Sequence, residues 1–324
     1  MTSRILLPAI CVLFCTSVAA QVDDADLKSL ALSRQYEALE KLARQRLARD
    51  PDDENSLWYL AEQSSDDPDI RATLLPSARH CAKHRPQAAR CESALGLLIG
   101  AEIEADGGFS ALLRIGEVRV HFERAVALAP EDYAMRRDLQ GFYIEVPGFM
   151  GGSHRKAAEQ ADAVARVDAQ RGHLMKAELA IGDKSFDAAE RELLEVRPYD
   201  DLSLERDEEA VQVDLGSAFL DAGLPARAQA WFERLVAHDS TSADAFAGLG
   251  RALLATSQPT AAAQAFENAV KLNPRLHIQH LLASAYEAAG QHGQAIDAYR
   301  LVLGAPAEHA YADHARERLA ALQR

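Results

Sequence analysis

Residues 243–276 read ADAFAGLGRALLATSQPTAAAQAFENAVKLNPRL, and the spacing within this stretch decides the fold. Counted from Ala243, small or apolar residues fill positions 4, 7, 8, 20, 24, 27 and 32 of a unit of about 34 residues: Phe246, Leu249, Gly250, Ala262, Phe266, Ala269 and Pro274. The pattern predicts two antiparallel helices, A and B, that approach closely through their small residues. Pro274 is expected to end helix B so that the chain can turn.

The units on either side carry the same pattern. In Glu209–Ser242 the corresponding residues are Leu215, Gly216, Phe219, Ala228 and Phe232. In the final unit, from about His277 to Ala307, they are Leu282, Ala283, Tyr286, Gly290, Ala295 and Tyr299. Phe232, Phe266 and Tyr299 are expected to fill the space toward the next hairpin.

Because the repeat positions carry these small and apolar residues, residues 209–309 resemble three units of the tetratricopeptide repeat family. The resemblance implies an all-α, right-handed superhelical solenoid of antiparallel helix pairs whose usual work is holding other proteins. Residues 21–208 are interpreted as degenerate repeats of the same kind, which gives about six to seven hairpins in all, and residues 310–324 as a capping helix. We expect residues 51–69 and 199–206 to be polar connections.

The first residues predict a signal peptide. Arg4 supplies a positive start, residues 5–14 form an apolar run, and Ala20 ends a group of small residues before Gln21. The apolar run is shorter than the roughly 20 residues that span a bilayer. We therefore expect cleavage after Ala20, a periplasmic protein spanning 21–324, and no membrane insertion after cleavage.

The charge balance is acidic, with 35 Lys and Arg residues against 49 Asp and Glu residues. Nucleic acid and anionic membranes are poor partners for such a surface. Two interpretations remain open: charge that serves solubility alone, and an acidic surface that attracts a basic ligand.

Cys81 and Cys91 are the two cysteines outside the leader, and they lie symmetrically about Pro86. If Pro86 marks a turn between antiparallel helices, the two side chains face each other, and an exported protein would form a disulfide there. The alternatives are a metal site that adds His80 and His84, and two reduced cysteines in the core.

One segment departs from the repeat pattern, and its sequence is Glu145-Val-Pro-Gly-Phe-Met-Gly-Gly-Ser153. Pro147 and Gly148 predict a tight turn, Gly151 and Gly152 allow positive φ, and Ser153 can cap the next helix. A structural loop, a partner contact through Phe149 and Met150, and an anion site near Arg155 and Lys156 are all compatible with it. The phosphate-loop spacing and a preceding strand are missing.

The same segment resembles a loop of exported bacterial repeat proteins. The residues concerned are Tyr143, Pro147-Gly148, Gly151-Gly152-Ser153 and Lys156-Ala157, about 15 residues in all. A similar Gly-Gly-x-x-x-Lys-Ala helix start occurs in the periplasmic T-component of TRAP-type transport systems. This resemblance implies an accessory subunit of a solute-uptake system.

In tetratricopeptide repeats, particular helix A positions line the concave face and contact the partner. Here they are Val213, Ser217, Asp221, Asp244, Arg251, Leu254, His277, His280, Ser284 and Glu287. The chaperone-binding subtype clamps a carboxylate with Lys and Asn, where this chain has Val213 and Ser217, so that function does not carry over. His277 and His280 could share a metal, but an ordinary polar surface is the simpler interpretation, and we expect no metal and no cofactor.

Three hypotheses follow. A scaffold for another envelope protein or peptide predicts an open concave surface. An accessory uptake subunit, which binds a small ligand or assembles with itself, predicts a deep closed cavity. An enzyme predicts charge-shifted acids or histidines near Cys81 or Gly151. No catalytic motif stands out, so the sequence favours the scaffold over an enzyme.

Overall fold

The computed structural model describes residues 25–64, 67–106, 113–197 and 200–324, so the predicted leader lies outside the described residues. Within these ranges the chain is helical and contains no strand. The α-helices are α1 (25–32), α2 (Tyr36–Leu47), α3 (Glu54–Ser64), α4 (Pro68–His84), α5 (Ala89–Asp106), α6 (Ile115–Leu128), α7 (Tyr133–Glu145), α8 (His154–Ala165), α9 (Ala169–Gly182), α10 (Phe186–Glu195), α11 (Leu202–Asp221), α12 (Pro225–His238), α13 (Ala243–Ala255), α14 (Pro259–Leu272), α15 (Gln279–Ala288), α16 (His292–Gly304) and α17 (Ala312–Leu322). Two 3₁₀ segments, Gly148–Met150 and Pro306–Tyr311, interrupt the series.

Neighbouring helices pair antiparallel, from α1–α2 to α15–α16, and the pairs stack side by side. Each pair packs mainly on the next, so the apolar core runs along the stack, and α17 covers its end. This confirms the predicted all-α solenoid of helix pairs. None of the described helices has the length and apolar character needed to cross a bilayer.

The expectation of a polar connection over residues 51–69 is wrong, because α3 occupies Glu54–Ser64 and pairs with α4. Leu57 and Leu60 of α3 have no exposed surface. The acidic residues at both ends made this segment resemble a polar connection. Between them, however, Leu57 and Leu60 have the spacing of an apolar helix face. The solenoid therefore has one more hairpin than the sequence indicated.

The turns repeat from unit to unit. Helix A typically begins with a side-chain cap: the N-cap residues Asp132, Asp168, Asp201 and Ser242 each accept a hydrogen bond from a backbone N–H of the first turn. Between helices A and B one residue takes positive φ, which reverses the chain within a few residues. These residues are Arg34, Lys184, Gly223, Ser257 and Gly290.

A buried aromatic ring on helix B packs directly on a glycine of helix A. A Cβ atom added to Gly250 would lie 2.6 Å from the Phe266 ring, and one added to Gly216 would lie 2.5 Å from the Phe232 ring. Both rings are completely buried. The N-terminal half uses the same contact, since Phe122 of α6 lies 2.5 Å from a Cβ placed on Gly96 of α5. These positions have no room for a side chain.

The first hairpin contacts the C-terminal repeats, so the solenoid closes on itself. Arg34 pairs with Glu209 and Asp239, and it donates to the Thr241 hydroxyl at 2.6 Å. Further along, Arg275 lies 2.6 Å from Glu40. We call the surface formed by Arg34, Tyr36, Glu40, Arg206, Glu209, Asp239, Thr241 and Arg275 the closure interface.

Electrostatics favour this closure. Burial alone would raise the pKa of Asp239, but hydrogen bonds from Thr241 and the nearby Arg34 guanidinium outweigh it and lower the pKa to about 2. Arg206 donates to Asp239 at 3.1 Å and to the backbone oxygen of Leu32 at 3.3 Å. A second contact places α4 beside the 3₁₀ segment Pro306–Tyr311. The two ends of the repeat array therefore enclose the space between them.

Replacing Gly250 with alanine is expected to destabilise the protein by about 1–3 kcal/mol, because the new methyl group overlaps a ring that has no free space to move into. Gly293 supplies the matched control, since nothing lies within 4 Å of a Cβ added there. Gly293→Ala should be neutral or stabilising, since Gly293 lies in the first turn of α16 and alanine favours helical backbone more than glycine does. Urea unfolding of both variants checks this. Equal stabilities would contradict the packing account.

Candidate functional site

A cavity of about 920 Å³ lies on the inner side of the solenoid. Residues of α3, α5, α6, α7, α9 and α11 surround it, together with the turn that follows α7. Much of its wall is apolar and includes Leu97, Ile103, Val118, Phe122, Phe142, Ile144 and Met150. A space of this size is typical of a site for a small molecule or a few residues of a peptide.

The polar part of the wall is strongly acidic. It contains six carboxylates against one guanidinium, that of Arg137: Glu62, Glu104, Asp138, Glu145, Glu178 and Asp214. Arg137 lies 2.7 Å from Glu178, so its charge is already matched. Asp138 accepts a hydrogen bond from the Ser93 hydroxyl at 2.5 Å. Within the described ranges, no cation forms an ion pair with Glu62, Glu104, Glu145 or Asp214.

The crowding shows in the pKa values of these groups. Burial, together with the charges of Glu178 and Asp244, raises the pKa of Asp214 to about 6, although Arg137 partly opposes this. Burial and Glu62 raise the pKa of Asp138 well above its usual range. Burial also raises the pKa of Glu145, with a contribution from Glu104. Each shift means that the ionised form is unfavourable in the empty cavity, and a bound cation would relieve that cost.

These acids are reached by water but enclosed by protein. The side chains of Glu62, Glu145 and Asp214 are exposed to solvent at the cavity surface. Their pKa values nevertheless rise through burial, because the surrounding helices displace bulk water from most directions. The interior is therefore an accessible space whose acids ionise less readily than they would in water.

The segment between α7 and α8 is a compact turn that forms part of the cavity lip. Gly151 has φ of 111°, and a Cβ added to Gly152 would collide with the Val146 backbone oxygen at 1.5 Å. Ser153 caps α8 by accepting from the Lys156 N–H at 3.3 Å. Gly151, Gly152 and Ser153 therefore each have a conformational, steric or capping reason.

Two residues of the turn, Pro147 and Met150, line the cavity, whereas Phe149 is 89% exposed and points away from it. The Lys156 ammonium lies 5.0 Å from the centre of the Tyr143 ring and 3.7 Å from Glu123. The Tyr143 hydroxyl donates to Glu123 at 2.8 Å. Lys156 is thus held within the protein, which leaves it poorly placed for an anion at the turn.

Cys81 and Cys91 form a disulfide between α4 and α5, with a Cα–Cα distance of 5.6 Å. Both residues are completely buried. The helices pack antiparallel on either side of Pro86, as the sequence predicts. The cysteine sulfurs are therefore not free to bind a metal together with His80 and His84.

The structure places the predicted groove residues in two groups. Val213, Ser217, Asp221, Asp244, Arg251 and Leu254 lie on α11 and α13, where Arg251 is 3.9 Å from Asp221. Burial, followed by Glu209, raises the pKa of Asp244 beside the closure interface. The partner-binding role of these residues stays a prediction.

The second group contacts the C-terminal end of the chain. His280 lies 2.9 Å from Glu308, and its ring stacks on Tyr311. Ser284 donates to the His280 backbone oxygen at 2.8 Å. Glu287 accepts from Arg318 and from the Tyr299 hydroxyl. His277 is exposed, with φ of 49°. The polar atoms of His280 and Glu287 are thus engaged within the protein.

Sequence reasoning missed the cavity acids. Asp138 and Asp214 each directly precede the leucine of the repeat pattern, Leu139 and Leu215, and this helix A position points inward. A carboxylate at the same position in two units was therefore a usable signal. Glu62 could not be found in this way, because α3 was not recognised as a helix.

The tetratricopeptide repeat family model matches residues 213–277 and 248–312. Yeast Tom70 is similar in structure, with a TM-score of 0.59 and 14% identity over 100% of this chain and 68% of that one. A tetratricopeptide repeat protein from Parabacteroides merdae gives a TM-score of 0.47 and 15% identity, over 82% of this chain and 98% of that one. No curated protein matches.

Asp214→Asn is expected to raise the melting temperature by a few degrees at pH 7.5. The folded-state pKa of about 6 lies above the value of about 4 for an unfolded chain, so ionisation of this group destabilises the fold as the pH rises through 6. The advantage of the variant should shrink toward pH 5, where the native carboxyl is protonated. Thermal unfolding at both pH values measures it.

The control is Asp162→Asn, whose carboxylate on α8 is 63% exposed and lies outside the cavity. Its melting temperature should follow that of the native protein at both pH values. A destabilised Asp214→Asn protein at pH 7.5 would contradict the proposed charge crowding.

Proposed function

We propose that this chain, which belongs to the tetratricopeptide repeat family, is an exported scaffold of the bacterial cell envelope that binds another protein or peptide through a cationic segment. The fold supports a protein-interaction role, since these repeats generally bind proteins or peptides. The observation that carries the proposal is the acidic cavity, whose six carboxylates face a single guanidinium already paired with Glu178.

Lysine and arginine side chains fit this cavity best. Their charged ends would neutralise carboxylates such as Asp138 and Asp214, whose pKa values are raised by burial and neighbouring acids. Their aliphatic stems would lie on the apolar wall near Val118 and Phe142. Such a site favours a basic segment of a partner and disfavours nucleic acid, which carries the same charge as the wall.

Acids with raised pKa values near the Gly151 turn are also what the enzyme hypothesis predicts. Tetratricopeptide repeat proteins are generally non-catalytic scaffolds. Among the described residues that line the cavity there is no Ser, Thr, Cys, His or Lys, so carboxylates are the candidate nucleophiles there. Binding therefore accounts for the site better than catalysis, and we propose that the protein is not an enzyme.

A cavity of about 920 Å³ also supports a second function. An accessory uptake subunit, similar to the T-component of TRAP-type systems, requires a deep closed space, and this cavity has the volume for a small solute but is partly open to solvent. On this alternative the occupant is a small cationic solute rather than a polypeptide. Both functions need a site that holds a positive charge beside an apolar wall. They differ in the size of the occupant.

Export is supported by two independent features. The leader pattern over residues 1–20 ends in small residues before Gln21. A buried disulfide joins Cys81 to Cys91, and such bonds persist in oxidising compartments. Together they favour the periplasm as the place where the protein folds and works.

The binding test uses a fluorescent hexalysine peptide as the probe, followed by fluorescence anisotropy at low salt. The native protein should bind it, and a Glu62→Gln, Asp138→Asn, Asp214→Asn variant should bind at least about tenfold more weakly, since each lost carboxylate removes a charge partner for lysine. Affinity should also fall between pH 7 and pH 5, because Asp214 becomes protonated near pH 6.

The matched control removes three exposed acids outside the cavity: Glu131→Gln, Glu195→Gln and Glu317→Gln. It has the same net charge as the cavity variant and should bind like the native protein. If both variants weakened hexalysine binding equally, the effect would come from net charge alone. This result would contradict binding in the cavity. Spermidine that binds in place of hexalysine, with the same dependence on the cavity acids, would favour the small-solute function.

Export is tested by expressing the full chain in a Gram-negative host and sequencing the N-terminus of the periplasmic product. We expect the mature protein to begin at Gln21 and to contain no free thiol, since Cys81 and Cys91 are bonded. A cytoplasmic protein that keeps Met1 would contradict the envelope assignment.

A further inference from the structure

We propose a transition-metal site formed by His80, His84 and Asp52, on the outer surface beside the disulfide. The candidate ligand atoms of these three residues all lie within 4.8 Å of one another. His80 and His84 are four residues apart on α4, so both imidazoles project from the same face of the helix. Their rings stack with centroids 3.8 Å apart. Asp52 reaches them from the connection between α2 and α3.

Hydrogen bonds determine which ring nitrogens are available. His84 Nδ1 lies 2.9 Å from the backbone oxygen of His80, an atom that only accepts, so this nitrogen carries the proton. His80 Nδ1 lies 2.6 Å from the Asp52 carboxylate and donates to it when that group is ionised. In both rings Nε2 is therefore the nitrogen with a free lone pair. A carboxylate behind a metal-binding histidine is a common arrangement that orients the ring and raises its basicity.

The backbone around these residues is fixed. Cys81, next to His80, is bonded to Cys91, and its sulfur lies 3.4 Å from the Asp52 backbone oxygen. The Asp52 N–H donates to the Asp50 carboxylate at 3.0 Å, and Asp50 also pairs with Arg85. The disulfide thus fixes α4 against α5, and the Cys81 sulfur contacts the connection that carries Asp52. The two imidazoles therefore lie close together on a fixed backbone, and rotation about their side-chain bonds would turn both Nε2 atoms toward one ion.

The donor set selects the metal class. Two imidazole Nε2 atoms suit Zn²⁺, Ni²⁺ and Cu²⁺, whereas Ca²⁺ and Mg²⁺ prefer oxygen ligands. The Asp52 carboxylate supports this donor set from behind His80. His80 is 53% exposed, so water can complete the coordination shell. The cysteines take no part, because both sulfurs belong to the disulfide. This site is separate from the acidic cavity and does not rest on the proposed function.

The test uses the purified, tag-free protein and Zn²⁺ alone, measured by competition with a chromogenic chelator at pH 7.5. We expect one ion per chain, and at least about tenfold weaker binding in His80→Ala and in His84→Ala. Asp52→Asn should also weaken binding, because the carboxylate orients the His80 ring and raises its basicity. Because both histidines are exposed, the alanine variants should keep the native melting temperature without metal.

His292→Ala is the control, since His292 is an exposed histidine on a different helix and belongs to no such cluster. It should bind Zn²⁺ like the native protein. Electron paramagnetic resonance with Cu²⁺ gives a second readout, in which the native protein should show two nitrogen ligands and His84→Ala one. Zn²⁺ binding that is undetectable, or equal in the native protein and in His80→Ala and His84→Ala, would overturn the site.

Discussion

The contact between a helix B ring and a helix A glycine determines how closely the two helices of a hairpin approach, and the stack follows from that distance. Phe232 touches Gly216 within its own unit and also Gly248 in the next, where an added Cβ would lie 2.2 Å from the ring. One side chain thus sets the spacing within a hairpin and between hairpins. Because every unit repeats the same small step, the array curves until its first hairpin meets its C-terminal repeats.

The closed arrangement of the solenoid increases the electrostatic repulsion between the carboxylates of the cavity. On an open surface, scattered carboxylates would be screened by water and salt. Inside the solenoid, burial raises the pKa of Asp138 and Asp214, and Arg137 is already paired with Glu178. The cavity therefore contains unfavourable like-charge contacts, which are common at binding sites. A cationic occupant relieves them, whether it belongs to a polypeptide or to a small solute.

The sequence revealed the C-terminal repeats because their spacing is regular. From Gly216 to Phe232, from Gly250 to Phe266 and from Ala283 to Tyr299 the interval is the same. Gly96 and Phe122 make the equivalent contact across an interval about ten residues longer, so a search by fixed period passes over them. The turn at Pro86 and the cap at Ser153 were predictable, since both depend on local chemistry. Closure was not, because ion pairs such as Arg34–Glu209 join residues far apart in the chain.

The distance between the first hairpin and the C-terminal repeats tests the account most directly, because closure brings these repeats around the side of the solenoid on which the cavity lies. Spin labels at Lys41 on α2 and Lys271 on α14, both exposed, lie on either side of the Glu40–Arg275 contact. Double electron–electron resonance should give a single narrow, short distance, and Arg34→Ala combined with Arg275→Ala should broaden it toward longer values. A broad, long distribution in the otherwise native protein would show that the solenoid is open, and would contradict the enclosed acidic site.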